Sequence, residues 1–293
     1  MPLATANGLQ LHYESFGPVS ATPVLLIMGL GCQMIRWNQE ICDGLLDRGF
    51  RVIRFDNRDC GLSTRCETLS IPDFRGFMQT GRFSALPYTL ETMADDAMGL
   101  LAALGIPQAH IVGASMGGAI AQIVAARYPK QVLSLTSIMS SSGNPLLPPP
   151  SPAAMASLTS PLPLVRDRAT IVQDAIKRFQ VVASPGFPTP IDELNALFGA
   201  EYDRGFYPAG VARQLAALMS HGDRRPLLRS IRCPTVVLHG KDDPLIPYAH
   251  GKDVAMNIPQ AAMTGIEGRG HDFPKALTSV FVAAIVQAAI TPE

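Results

Sequence analysis

The stretch Gly113-Ala114-Ser115-Met116-Gly117 decides the fold of this chain. It follows an apolar run, Ala109 to Val112, and opens onto a helical run that extends to Arg127. A strand, a sharp Gly-x-Ser-x-Gly turn and a helix, in this order, indicate a turn that presents a nucleophilic serine. The flanking glycines fit because a side chain at either position would collide with the adjoining strand or helix. The alternative is an ordinary helix start with a serine beside it.

Strand-like and helix-like segments alternate on both sides of this turn. Alternation of this kind predicts an α/β fold with a mostly parallel central sheet flanked by helices. Strands are predicted at Leu9 to Phe16, Pro23 to Met28, Arg51 to Asp56, Val132 to Met139, Cys233 to Gly240 and Ala262 to Ile266. Helices are predicted at Trp37 to Arg48, Leu90 to Leu104 and Val280 to Ile290.

The alternation stops after Ser140. Residues 143–163 hold seven prolines, which we interpret as a stiff connection without a regular helix or a central strand. Residues 164–222 are mostly helical in pattern, and the strand and helix alternation returns at Cys233. We therefore predict a core domain of residues 1–142 and 229–293, with a helical cap, residues 143–228, inserted after the sixth strand as a lid. A second independent domain is the alternative.

Composition limits the classes of function. The 293 residues are 47% hydrophobic, as expected for strands that helices bury on both faces. Lys and Arg number 24, as do Asp and Glu, so the net charge is zero. Because no basic stripe is visible, nucleic acid is not an expected partner.

The five cysteines are scattered, odd in number and without a C-x-x-C pair, which argues against a disulfide framework or a structural zinc site. No signal-peptide pattern is visible at the first residues, so we expect a cytoplasmic protein. The apolar run that ends at Ile290 is too short to span a bilayer, and we expect it to form a packed helix.

A serine hydroxyl needs a base and a group that orients the base before it can act as a nucleophile. Among six histidines, His271 lies in a glycine-flanked loop after the last strand, where its imidazole can reach Ser115. His239, at the end of a strand, is the alternative candidate for the base, and we interpret it as a packed, hydrogen-bonded residue. Asp243, on the loop after that strand, is the predicted acid, and Asp242 is interpreted as its solvated neighbour.

Two main-chain N–H groups are predicted to bind the oxyanion that develops on the substrate. One belongs to Met116, at the start of the helix that follows Ser115, and the other to Leu30, in the turn Gly29-Leu30-Gly31. A simple glycine turn is the alternative reading of that segment. Five cap residues suggest an apolar substrate pocket, although their spacing also suits ordinary helix cores: Phe179, Phe198, Phe206, Tyr207 and Met219.

Together these motifs resemble the α/β-hydrolase superfamily over nearly the whole chain. The segment Asp56-Asn57-Arg58-Asp59-Cys60-Gly61-Leu62-Ser63, the turn Met28-Gly29 and the ending Gly270-His271-Asp272 carry a narrower resemblance, to bacterial carboxylesterases related to the aclacinomycin methylesterases. The resemblance implies that Ser115, Asp243 and His271 are the nucleophile, the acid and the base. It implies no cofactor and no metal.

Two residues depart from the pattern of this superfamily. Met28 stands where most members have a histidine, and we expect catalysis to survive because that imidazole would support the loop rather than touch substrate. Arg269 stands before the base where close relatives often carry an apolar residue, and we interpret it as a solvated surface charge in preference to a charge at the pocket mouth.

The predicted function is that of a serine carboxylesterase that hydrolyses small to medium, largely apolar esters through an acyl-enzyme intermediate. Perhydrolases and carbon–carbon-bond hydrolases use the same three residues and are the nearest alternatives. A ligand-binding or signalling protein with slow turnover is the alternative from another class. The expected partner is a small-molecule ester, and the sequence indicates neither the acyl length nor the oligomeric state.

Overall fold

A computed structural model describes residues 2–290 of the chain. Its centre is an eight-stranded sheet with the order β1-β2-β4-β3-β5-β6-β7-β8, in which β1 and β2 pair antiparallel and every later pairing is parallel apart from that of β2 with β4. The strands are Leu3–Ala6 (β1), Leu9–Phe16 (β2), Pro23–Ile27 (β3), Arg51–Phe55 (β4), Ala109–Ala114 (β5), Val132–Ile138 (β6), Thr235–Gly240 (β7) and Ala262–Ile266 (β8). The predicted α/β fold class is confirmed.

Eleven α-helices are present among the described residues. Six of them belong to the core: Gln39–Leu46 (α1), Phe74–Thr80 (α2), Leu90–Ala103 (α3), Met116–Arg127 (α4), Tyr248–Asn257 (α10) and Thr278–Ile290 (α11). Five lie between β6 and β7: Pro152–Thr159 (α5), Arg168–Val182 (α6), Ile191–Gly205 (α7), Pro208–His221 (α8) and Arg225–Leu228 (α9). Short 3₁₀ turns occur at Met34–Arg36 and Lys275–Leu277.

Two hydrophobic layers cover the two faces of the sheet. On one face, α3, α4 and α10 bury residues such as Met93, Ile120 and Val254. On the other face, α1 and α11 bury residues such as Ile41 and Phe281. All six residues of β5 are buried, as expected for a central parallel strand that is covered on both sides. The strand that leads to Ser115 is therefore among the most enclosed parts of the molecule.

Helices α5 to α9 occupy the segment that the sequence analysis assigned to the cap, and "the cap segment" below means residues 143–228. Part of this segment has a small core of its own, in which Val172, Ile176, Leu194 and Phe198 are buried. That core is separate from the two layers that cover the sheet. The role of the segment as a lid stays a prediction.

The proline-rich segment contains a helix, contrary to the prediction for residues 143–163. Helix α5 begins with Pro152 in its first turn, where the missing N–H costs nothing because the first amides of a helix have no partner within the helix. The side chain of Ser151 caps it by accepting from the N–H of Ala154. The next proline after Pro152 is Pro161, so the rest of this helix contains no proline.

Candidate active site

Ser115 lies at the turn between β5 and α4 with φ 56° and ψ −120°, a strained conformation for a residue with a side chain. Gly113 and Gly117 must be glycines, because a side chain at either position would overlap the neighbouring backbone. A Cβ on Gly113 would lie 2.1 Å from the carbonyl oxygen of Gly117, and a Cβ on Gly117 would lie 2.2 Å from that of Ile27. The turn is thus packed directly against the end of β3.

The strained backbone at Ser115 is held by neighbouring hydrogen bonds. Its N–H donates to the carbonyl oxygen of Ile138 at 2.9 Å, at the end of the adjacent strand. Its own carbonyl oxygen accepts from the Ser140 hydroxyl at 2.8 Å and from the N–H of Gly118 at 2.9 Å. Together these hydrogen bonds hold the backbone of the turn in its strained conformation, as is common where strain occurs at functional sites.

The structure brings Ser115, His271 and Asp243 together in a hydrogen-bonded chain. The Ser115 hydroxyl oxygen and His271 Nε2 are 3.0 Å apart, and His271 Nδ1 lies 2.7 Å from Asp243 Oδ2. Because the ionised carboxylate can only accept, Nδ1 carries the proton and Nε2 is free to accept from the serine. This is the tautomer that a general base needs.

The carboxylate of Asp243 is buried and heavily hydrogen-bonded. Its Oδ1 accepts from the N–H groups of Leu245 and Ile246 at 2.9 and 2.8 Å. Burial would raise the pKa of Asp243, but the imidazole of His271 and the bonds from His239 and His271 outweigh it and hold this pKa well below its usual range. The Asp243 carboxylate is therefore ionised at neutral pH.

His239 lies behind the acid and is fully buried. Its Nε2 hydrogen-bonds to the carbonyl oxygen of Ile246 at 2.7 Å and is 3.5 Å from Asp243 Oδ2. Helix α10 packs on this ring, since a Cβ on Gly251 would lie 2.5 Å from His239 Nδ1. The interpretation of His239 as a packed, hydrogen-bonded residue agrees with this placement.

Asp242 has a structural contact that the sequence did not indicate. Its exposed carboxylate accepts from the N–H of Gly268 at 2.7 Å, at the start of the loop that carries His271. Asp242 is a solvated neighbour, as predicted, but it also anchors that loop.

The loop after β3 approaches Ser115 closely. A Cβ on Gly29 would lie 3.0 Å from Ser115 Cβ, so glycine is required for this approach. Within the described residues, the N–H groups of Leu30 and Met116 donate to no other group. One of these donors directly follows Ser115 in sequence and the other directly follows Gly29, which packs against Ser115, so their role as an oxyanion pair stays a prediction.

Met28 is buried, and its carbonyl oxygen accepts from the Asn57 side chain at 2.9 Å. Asn57 is itself buried and immediately follows β4. The loop therefore has a side-chain support although no histidine is present at position 28. Asn57 belongs to the motif that follows β4, but the sequence alone could not show that its side chain would bond to the carbonyl oxygen of Met28.

The prediction that Arg269 is a solvated surface charge is wrong. Its side chain is fully buried, where the guanidinium lies 4.8 Å from the ring centre of Phe281 and donates to Met139 Sδ and to the carbonyl oxygen of Asp272. Two of its nitrogens, Nε and Nη1, have no hydrogen-bond partner among residues 2–290. Burial lowers the pKa of Arg269 to about 10, against the opposing effect of Asp272 and then Asp243.

The five apolar cap residues do not form one surface. Phe179 lines a cavity of about 420 Å³ beside Asp242 and Pro244. Phe198 is buried in the core of the cap segment, with its ring 5.6 Å from that of Phe179, and its predicted contact with substrate stays a prediction.

The remaining three lie elsewhere on the cap segment. Phe206 stacks on Tyr202, and the Tyr207 hydroxyl accepts from Arg213 at 2.7 Å, while Met219 is partly exposed. A direct substrate contact for these residues stays a prediction.

Ion pairs with buried carboxylates connect the cap segment to the loop after β4, and sequence reasoning missed them. Arg213 of α8 pairs with Asp59 at 3.0 Å, and Arg204 of α7 pairs with Asp56 at 3.0 Å. Both carboxylates belong to the motif quoted above, but their partners lie about 150 positions away in sequence. The motif thus serves as the anchor of the cap segment.

Over residues 2–290, no group of three His, Cys, Asp or Glu side chains is arranged to hold a metal ion. In the same range, no helix is both long and apolar enough to cross a membrane.

The fold and the arrangement around Ser115 define an α/β hydrolase, and the chain belongs to the α/β-hydrolase fold family, whose sequence profile matches residues 22–274. The chain is 26% identical to rhodomycin D methylesterase DnrP of Streptomyces peucetius, over 97% of this chain and 96% of that protein. It is 31% identical to a 2-hydroxymuconate semialdehyde hydrolase of Pseudomonas sp. (strain CF600), over 91% of this chain and 85% of the relative. The resemblance to bacterial methylesterases predicted from the motifs is confirmed.

Solved structures agree on the fold. The enol-lactonase from Burkholderia xenovorans LB400 superposes with a TM-score of 0.72 at 21% identity, over 99% of this chain and 100% of that one. The predicted fold class, an α/β-hydrolase fold, is confirmed.

Proposed function

We propose that this protein is a serine carboxylesterase that cleaves small to medium, largely apolar carboxylic esters through an acyl-enzyme intermediate. The observation that carries the proposal is the hydrogen-bonded chain from Ser115 through His271 to Asp243, with Ser115 held in a strained turn. The methylesterase relatives support an ester as substrate.

In the first half of the reaction, the Ser115 oxygen attacks the ester carbonyl carbon as His271 Nε2 takes the hydroxyl proton. The tetrahedral oxyanion accepts hydrogen bonds from the N–H groups of Leu30 and Met116. His271 then gives its proton to the leaving alkoxide, the carbon–oxygen bond breaks, and the acyl group stays on Ser115. Asp243 holds the imidazolium throughout by its bond to Nδ1.

In the second half, a water molecule attacks the acyl-enzyme. His271 removes a proton from the water, and the new carbon–oxygen bond produces a second oxyanion in the same donor pair. When that intermediate collapses, the Ser115 oxygen recovers its proton from His271 and the carboxylic acid leaves. The cycle consumes one water and needs no cofactor.

The test is hydrolysis of p-nitrophenyl esters of increasing acyl length by the wild-type protein and by Ser115→Ala. We expect turnover that falls by about four to six orders of magnitude in the variant, as when a member of such a triad is removed. A fluorophosphonate should add covalently to Ser115 in the wild-type protein. An active Ser115→Ala protein, or an adduct on another serine, would refute the proposal.

A second candidate is hydrolysis of a substrate that is not an ester, with the same three residues. The relative named 2-hydroxymuconate semialdehyde hydrolase, at 31% identity, favours this candidate. Turnover of that semialdehyde, measured beside the ester panel, separates the two. A protein that hydrolyses neither substrate class yet binds small ligands would instead support a binding or signalling role.

A further inference from the structure

Gln214 of α8 connects the cap segment to the loop that holds the predicted oxyanion donor. The side chain is fully buried and uses both ends. Its Oε1 accepts from the N–H of Gly31 at 2.8 Å, and its Nε2 donates to the carbonyl oxygen of Arg58 at 2.8 Å. A helix of the inserted segment is thereby bonded to the residue that follows Leu30.

Both peptide groups that flank Leu30 are fixed by hydrogen bonds. The peptide that contains the Leu30 N–H also contains the carbonyl of Gly29, which accepts from the N–H of Cys32 at 3.2 Å. The next peptide contains the N–H of Gly31, which donates a hydrogen bond to Gln214 Oε1. Since each peptide group is planar, the bond to the Gly29 carbonyl restrains the Leu30 N–H directly, and the bond from Gly31 restrains the rotation of the backbone on the other side of Leu30.

Packing restrains the same loop from two sides. Gly29 faces Ser115, where a Cβ would come within 3.0 Å of Ser115 Cβ. Gly31 has φ 64° and faces α8, where a Cβ would come within 3.0 Å of Val211 Cγ2. The hydrogen bond that the N–H of Gly31 donates to Gln214 adds a directional restraint to this van der Waals contact on the side of the loop toward α8.

We propose that Gln214 is a positioning residue for the oxyanion donor, because its own hydrogen bond with the N–H of Gly31, rather than the docking of α8 in general, restrains the orientation of the Leu30 N–H. This inference rests on the proposed function, because it takes Leu30 as an oxyanion donor. Gln214 acts through Gly31 and does not touch substrate. Its loss should affect the transition state, in which the oxyanion exists, more than the binding of the ester.

The experiment compares Gln214→Leu, Gln214→Glu and Arg213→Lys with the wild type. The leucine variant removes both bonds, whereas the glutamate variant keeps an acceptor for Gly31. Arg213→Lys is the matched control, because Arg213 is the adjacent buried residue of α8 and bonds to Asp59 and Cys66 rather than to the loop after β3 that contains Leu30. For each protein, kcat and KM for a p-nitrophenyl ester, the Ki of phenylboronic acid and the melting temperature are measured.

Removing a whole oxyanion donor costs about 10²–10³ in kcat, so misorienting one should cost roughly tenfold to a hundredfold in Gln214→Leu. KM should stay within about threefold, and phenylboronic acid, which forms a tetrahedral adduct, should bind weaker by the same factor as kcat falls. The low-field NMR signal of the His271 Nδ1 proton should be unchanged. Gln214→Glu should recover most of the loss, and Arg213→Lys should lower the melting temperature without this kinetic pattern.

The outcomes separate this inference from the proposed function. A wild-type protein without Ser115-dependent ester hydrolysis refutes the proposed function. Ser115-dependent hydrolysis with a Gln214→Leu protein that retains wild-type kcat and boronic acid affinity refutes the positioning role alone, as does an equal kinetic loss in Arg213→Lys. If Gln214→Leu fails to fold, Gln214→Asn replaces it: its amide is one methylene shorter and cannot reach both Gly31 and Arg58, so a selective loss of kcat is expected, and unaltered kcat and Ki would overturn the inference.

Discussion

The main-chain N–H of His271 donates to the carbonyl oxygen of Val182 at 2.7 Å, so the proposed base is bonded directly to the last residue of α6. A Cβ on the preceding Gly270 would lie 2.5 Å from that same oxygen, which explains why glycine is needed there. The segment after α6 continues along the loop, where the N–H of Gly186 donates to the carbonyl oxygen of Gly268 at 2.8 Å. The cap segment and the base therefore share one hydrogen-bonded seam.

Ser184 lies at the centre of this seam and provides the first prediction. Its hydroxyl donates to the buried carboxylate of Asp272, and its oxygen accepts from the N–H of Gly270 at 2.9 Å. Burial raises the pKa of Asp272, and the bonds from Ser184 oppose this effect. In Ser184→Ala we expect kcat to fall by roughly tenfold and the free energy of unfolding to fall by about 1–3 kcal/mol, because a buried charged group loses a donor.

Steady-state kinetics and urea unfolding of Ser184→Ala check this prediction. Ser157→Ala is the control, because the Ser157 hydroxyl bonds only within its own helix, to the carbonyl oxygen of Ala154. Equal effects of the two substitutions would contradict the argument.

The second prediction separates the two adjacent carboxylates. In Asp243→Asn, the new amide can donate to His271 Nδ1 and so favour the tautomer whose Nε2 cannot accept from Ser115. We expect kcat to fall by about 10⁴, the loss known when the acid of such a triad becomes an amide. Asp242→Asn keeps an oxygen for the N–H of Gly268 and should retain activity within a few-fold.

Steady-state kinetics on one p-nitrophenyl ester are sufficient for this comparison, provided that both variants keep the wild-type melting temperature within a few degrees. The reverse ranking of Asp242 and Asp243 would mean that the loop after β7 has been assigned in the wrong register.

The site was predictable from sequence where its residues depend on local geometry. Gly113, Ser115 and Gly117 belong to a turn whose steric requirements can be recognised from five consecutive residues. Asp243 and His271 follow strands that the apolar pattern predicts. The four-residue strand β1 was missed because it is too short for an alternating pattern to stand out.

Arg269 and Gln214 could not be assigned in this way. Whether a charged or polar side chain is exposed depends on what covers it, and both are buried under segments distant in sequence. Gln214 bonds to Gly31, which lies 183 positions away, and Arg269 donates to Met139 Sδ, which lies 130 positions away. The polarity of an isolated residue predicts exposure, and tertiary packing overrode that prediction here.

The third prediction concerns which cap residues affect substrate choice. Val181 lines the 420 Å³ cavity beside the loop after β7 that carries Asp243, and its side chain is partly exposed. Phe198 is buried in the core of the cap segment. Asp242 and Pro244, which flank Asp243 in sequence, also line this cavity. If it holds the acyl chain of the ester, Val181→Phe should narrow it and shift the preferred acyl length, with a melting temperature close to that of the wild type. Phe198→Ala should lower the free energy of unfolding by about 3–5 kcal/mol, because it leaves a cavity in a packed core.

The acyl-length profile and the melting temperature of both variants are measured together. The prediction fails if Val181→Phe alters only stability, since the cavity would then have no connection to the bound ester.

The last prediction is a pH dependence of stability that arises from His110. This histidine lies on β5, with its Nδ1 2.9 Å from the Ser134 hydroxyl and its ring edge-on to Phe50. Burial lowers the pKa of His110 to about 4, below the value near 6.5 of an exposed histidine. Between these two values the unfolded chain binds a proton at this position and the folded protein does not.

The free energy of unfolding should therefore fall as the pH decreases from about 6.5 to about 4, and the contribution of His110 should level off below that. The upper limit of this contribution is about 1.4 kcal/mol per pH unit, reduced by any solvent that reaches the ring. His110→Gln, which can still bond to Ser134 but does not titrate, should have a shallower slope over this range. Urea unfolding of both proteins at several pH values gives the two slopes, and the shared contribution of the carboxylates cancels in their difference. Parallel curves would show that His110 takes up its proton in the folded state as readily as in the unfolded chain.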